Sequence, residues 1–118
     1  MRVVRRIHMT EIPESDWKIF RELRERALER FCRRVLEEIE GIRSDESQSY
    51  HNRYGAVYRL LQERDRQLAH AFDSPRRSQM LIQLAAMVVH GAVERGELSR
   101  FTQRTRGSVE TLVSVMDL

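Results

Sequence analysis

The chain has 118 residues, 41% of them apolar and 33% charged, with 20 arginines against one lysine, a single cysteine and a net charge of +3. That length makes one domain with room for a real core. The longest apolar run, Met80 to Val89, is broken by Gln83 and falls well short of the ~20 residues that cross a bilayer, and Arg5, Arg6, His8 and Glu11 interrupt any signal-peptide core, so a soluble cytoplasmic protein is expected, without membrane contact.

Residues 1–12 mix β-branched and basic side chains with no helical period and read as a short extended arm; residues 13–118 read as one helical domain. The first helix opens at Pro13-Glu14-Ser15-Asp16, with proline in the first turn, Ser15 as a cap and acids at the positive end of the helix dipole. Trp17, Phe20, Leu23, Ala27, Leu28, Phe31, Val35, Ile39 and Ile42 then recur at steps of mostly three and four, which makes one apolar stripe. With Gly41 as its stop, the helix runs for about 27 residues, ~40 Å. Its outer face alternates sign, pairing Glu22 with Arg26, Glu29 with Arg33 and Arg33 with Glu37, each worth only ~0.3 kcal/mol.

Ser44 to Ser49 is a polar hinge. A second helix follows with a stripe of Tyr50, Tyr54, Val57, Tyr58, Leu61, Leu68 and Phe72, in which Arg64 and Asp65 fall where apolar residues are expected. Ser74 and Pro75 close it and open a third helix, Pro75 to Val89, whose apolar residues cover nearly every direction and mark it as the buried element. His90-Gly91 ends that helix, Glu94 to Glu97 is a turn, and Leu98 to Phe101 is one helical turn. A last helix capped by Thr102 or Thr105 buries Val109, Leu112, Val113 and Met116. The expected architecture is all-α: a compact bundle of four to five helices, with two long amphipathic helices around a buried apolar one.

The chemistry-bearing residues are few. Asp65 lies on the apolar stripe of the second helix and is therefore a candidate buried charge, either a brace at the helix reversal or a ligand-binding acid. Arg76 and Arg77 follow Pro75 at the start of a helix, where free amides favour anions, and with Arg100, Arg104 and Arg106 they form the region best suited to an anion or a nucleic acid. Elsewhere the charge is dispersed: residues 1–59 carry 13 basic and 11 acidic side chains and residues 60–118 carry 8 and 7, so nucleic acid is the weaker expectation. His8, His51, His70 and His90 lie far apart, Cys32 has no nucleophile's partners, and the five glycines form no phosphate loop. No catalytic residue, cofactor or metal is expected, and the sequence leans away from an enzyme. Tyr50, Tyr54 and Tyr58, four apart on one face, suit a helix–helix interface better than a base-stacking row. The expectation is a protein-interaction or assembly module, self-associating as a homodimer through the flank of its long helices or binding another protein, with a nucleic-acid- or anion-binding module as the alternative.

Overall fold

The computed structural model describes residues 12–117, so the arm expected over residues 1–12 lies outside the described residues except for Ile12, which packs against the core. Among the described residues there are four α-helices: α1 (Glu14–Arg43), α2 (Tyr50–Phe72), α3 (Met80–Val89) and α4 (Gln103–Met116). Two short 3-10 segments, Arg77–Gln79 and Arg95–Arg100, flank α3. The all-helical expectation holds.

α1 is two residues longer than the Gly41 stop implies. Its end is set by the Ser44 hydroxyl and amide, both of which donate to the Glu40 carbonyl. Gly41 therefore sits inside the last turn, and a β-carbon there would meet nothing within 4 Å. Gly41→Ala is expected to raise stability by about 0.5–1 kcal/mol, seen as a higher urea midpoint at unchanged slope, because it restricts the unfolded chain without touching the folded one.

The entry to α3 differs from the expectation. Ser74 takes a left-handed conformation (φ 46°) and Arg76 is extended, so the chain turns through Pro75 before a 3-10 turn leads into Met80. Gln83, the polar break in the apolar run, is buried and donates to the Asp73 carbonyl at 2.5 Å, which ties α3 to the end of α2. At the other end of α4's lead-in, Thr102 is the cap: its hydroxyl accepts from the Thr105 amide.

α3 lies between α2 and α4 and touches α1 more lightly, so the long helices do not sandwich it symmetrically. Its Met80, Leu84, Ala85, Ala86 and Met87 are fully buried, together with Phe20 and Ala27 of α1 and Val109 of α4. The buried positions of α1 stop at Val35, and α2 buries only Ala71 and Phe72. The chain thus has two parts: a packed body, and a hairpin formed by the end of α1 and most of α2, where the two helices have chiefly each other to lean on. Phe72 joins them, its ring edge-on to Phe31 at 5.9 Å and its carbonyl accepting from Arg24 at 2.6 Å.

Two arginines of α1 clamp the turn after α3. Arg30 makes a fork to Glu97, both bonds at 2.6 Å, and reaches the Ala92 carbonyl at 3.2 Å. Arg34 donates to the Gly91 carbonyl at 2.6 Å. Gly91 has φ +77°, a left-handed conformation that favours glycine, and a β-carbon there would displace the end of the Arg34 side chain, 2.7 Å away.

Candidate interaction surface

The surface follows from how α2 faces α1. Its inward row is Arg53, Val57, Leu60, Arg64, Leu68 and Ala71, which are half-buried or buried. Arg64 makes a fork to Glu38 of α1, at 3.1 and 3.0 Å, and that bond fixes the level of one helix against the other. The hydrogen bonds to Arg64 hold the Glu38 carboxyl below the usual carboxylate range.

One position around the axis from this row is a second one: Tyr50, Tyr54, Tyr58, Leu61 and Asp65, at steps of four, four, three and four. All five are exposed, the tyrosines at 84%, 74% and 58%. Asp65 is therefore not a buried charge. The expected stripe merged two rows about 100° apart, and packing chose the row that puts Arg64 inward and Asp65 out. On α1, Leu36 is 65% exposed, with the half-buried Cys32 beside it on the same side. In an antiparallel pair, positions displaced in the same angular sense from the contact row lie on the same side, so Leu36 and the tyrosine row share one face of the hairpin. Exposed side chains of this size on one face make it the candidate surface for contact with another molecule. The guanidinium of Arg53 stacks at 4.4 Å from the Tyr50 ring and donates to the Arg43 and Gln48 carbonyls, so that end of the face is held in place.

The arginines of 76–106 are placed differently from a free basic patch. Arg77 bonds Glu14 and lies over the Trp17 ring, Arg100 reaches Glu22 at 3.4 Å, and Arg106 donates to the Ser99 carbonyl at 3.2 Å. Arg76 and Arg104 are exposed. Glu22 thus serves Arg100 across the fold, not Arg26 along its own helix; of the expected pairs along α1, Arg33 with Glu37 is formed, at 3.3 Å.

Two clusters were not legible as such in the sequence. Asp16, expected only as one of several acids in a first turn, is fully buried and accepts from the Thr102 amide (3.1 Å), the Thr102 hydroxyl (2.7 Å) and the Thr105 hydroxyl (2.6 Å). It stands where the positive ends of α1 and α4 converge. Ser15, the expected cap, is exposed, and no side chain caps α1. The second cluster is His70 and His90, twenty residues apart in sequence and 3.3 Å apart between ring nitrogens. His90 closes α3 beside a groove of about 330 Å³ lined by Phe31, Arg34, Val35, Glu38, Arg64 and Gln67 among others.

Burial, with the nearby His70 and Arg64, lowers the His90 pKa below its ordinary 6.5. The unfolded chain then takes up that proton first as pH falls. The associated stability is fully present above about pH 6.5 and is lost as pH drops through the folded value. Thermal midpoints measured between pH 8 and 5 are expected to fall in wild type and to flatten in His90→Gln. Glu38 and Glu97, held low by bonds to Arg64 and Arg30, contribute their losses further into the acid range, below the ordinary carboxylate value of 4.5.

Among the described residues no group of three or more His, Cys, Asp or Glu is placed to hold a metal ion, and no helix is long and apolar enough to cross a membrane. Comparisons with protein-family models, with characterised proteins and with solved structures find no match to this chain.

Proposed function

We propose that this protein is a non-enzymatic helical assembly module whose working surface is the exposed face of the α1–α2 hairpin, and that it acts as a homo-oligomer. One observation carries the reading: three tyrosines and a leucine stand in line along α2, uncovered, on a hairpin that has little core of its own. Tyrosine suits this use because it buries a large ring at small conformational cost and keeps its hydroxyl for a polar partner. The body supplies rigidity. The Arg30–Glu97 fork, the Phe31–Phe72 contact and the Asp16 cluster support the hairpin from below.

The alternative, an anion or nucleic-acid site on residues 76–106, has less support, since Glu14 and Glu22 already engage Arg77 and Arg100. Neutralising Arg76, Arg77, Arg100, Arg104 and Arg106 together would weaken any salt-dependent binding to duplex or single-stranded DNA, and no gel shift at low salt sinks that alternative.

Sedimentation equilibrium from one to about 100 µM tests the main reading. A concentration-dependent rise to a dimer mass is expected, and Tyr54→Glu is expected to abolish it by burying a charge at the contact. A monomer throughout the range overturns the proposal.

A further inference from the structure

The order of residues along the exposed row says how two copies would meet. Tyr50, Tyr54, Leu61 and Asp65 are spaced four, seven and four residues apart, which reads the same in both directions, and the centre falls between Val57 and Tyr58. A row with that symmetry, turned over on itself, keeps these four positions in register and sets the two copies of Tyr58 side by side next to the axis. The chemistry at the paired positions is also complementary. Tyr54 falls opposite the partner's Leu61, ring against aliphatic. Tyr50, a hydroxyl donor, falls opposite the partner's Asp65, the only carboxylate in the row.

Resting on the reading above, we infer that the occupant of this face is a second copy of the chain, docked with α2 antiparallel to the partner's α2 about a two-fold axis that passes between Val57 and Tyr58, and that Asp65 is an interface acceptor for the partner's Tyr50 hydroxyl. Isologous contact demands this kind of self-complementarity: residue i meets j, and j meets i. Charge agrees with the pairing. Arg53 stacks on Tyr50 at 4.4 Å, so the partner's Asp65 arrives next to a guanidinium as well as a hydroxyl. Apolar contact agrees too. The Glu38–Arg64 bond sets Leu36 of α1 at the level of Asp65, so the ring of the partner's Tyr50 lands between an exposed leucine and its hydrogen-bond acceptor.

The area is adequate. The three tyrosines expose roughly 400 Å² per copy, about half of the ~800 Å² that each partner of a standard interface buries. Leu61, Leu36 and the polar rim extend it. This arrangement also gives Asp65 a reason to occupy an otherwise apolar row: unpaired copies keep it hydrated, and only the antiparallel register satisfies it.

Cysteine pairing in a Cys32→Ser background tests the register. Tyr58→Cys is expected to form a disulfide-linked dimer under mild oxidation. Tyr54→Cys alone and Leu61→Cys alone are expected not to, because each is then about 10–12 Å from its own copy along the helix, beyond the ~7 Å between α-carbons that a disulfide spans. Mixed together, the two are expected to cross-link. In parallel, Asp65→Ala and Tyr50→Phe are each expected to weaken dimerisation about tenfold or more, with the double variant no weaker than either single one. A protein that dimerises but fails the cross-linking pattern, or whose Asp65 and Tyr50 losses simply add, overturns this geometry and leaves the assembly reading standing. A protein that stays monomeric overturns both.

Discussion

Asp16→Ala is expected to lower the stability of the folded chain by about 3–4 kcal/mol, enough to move the thermal midpoint down by roughly 10–15 °C. The carboxylate is fully buried and takes three hydrogen bonds from Thr102 and Thr105, two of them short. Hydrogen bonds to a charged group contribute about 1.5–3 kcal/mol, and removing the acceptor also strands the buried Thr105 hydroxyl and leaves the Thr102 amide and hydroxyl to find water. The carboxylate further loses its favourable place at two helix starts. Asp16→Asn keeps the shape and one carbonyl acceptor, and the threonine hydroxyls can turn to accept from its amide, so about half of the loss is expected to return. Thr105→Val removes one of the three bonds with little change in volume and should fall between wild type and Asp16→Ala. Circular dichroism melts of the three variants check the order. Equal losses for alanine and asparagine would mean that packing, and not hydrogen bonding, holds the cluster.

The second large effect concerns Phe72. Truncating it to alanine is expected to cost about 3–5 kcal/mol, as for other buried aromatics, because its ring lies against Phe31 and under the Arg24 guanidinium at the one place where α2 enters the core. The consequence should not be uniform. α2 buries only Ala71 and Phe72, so the loss falls on the joint between body and hairpin. Hydrogen exchange is expected to show amides of residues 50–70 deprotected far more than those of α3. Uniform loss of protection would instead mean that hairpin and body unfold as one unit. Because the tyrosine row stands on this hairpin, Phe72→Ala is also expected to weaken self-association without altering any exposed residue of the row.

The difference between Asp16 and Asp65 shows how far a single sequence reaches. Both are acids at the edge of an apolar row. The helical period predicts burial for Asp65, because Tyr58, Leu61 and Leu68 surround it, and makes Asp16 an ordinary first-turn acid. Adjacent residues on a helix differ by only about 100°, so a stripe containing both Val57 and Tyr58 leaves open which of two directions is inward. What decided it was the neighbour: α1 presents Glu38, and the bond to Arg64 turns α2 until Asp65 faces out. His70 and His90 belong to the same class of hidden facts, because their meeting depends on the reversal at Ser74 and on where α3 ends.

The abundance of arginine in a short chain with a small net positive charge has a specific meaning in the fold. Arg24, Arg30, Arg34, Arg53 and Arg64 are internal fasteners, each donating to carbonyls or a carboxylate across the structure, a task suited to a planar fork that is always charged. The sequence by itself determined that the chain is helical, where α2 begins and ends, that α3 is the buried element and that Thr102 is a fitting cap for the last helix, because periodicity and capping are local properties of consecutive residues. Only the tertiary structure decided which row of α2 faces inward, which acid is buried, which histidines meet and which arginines act as fasteners, because each of these depends on the angle and level at which one helix lies against another.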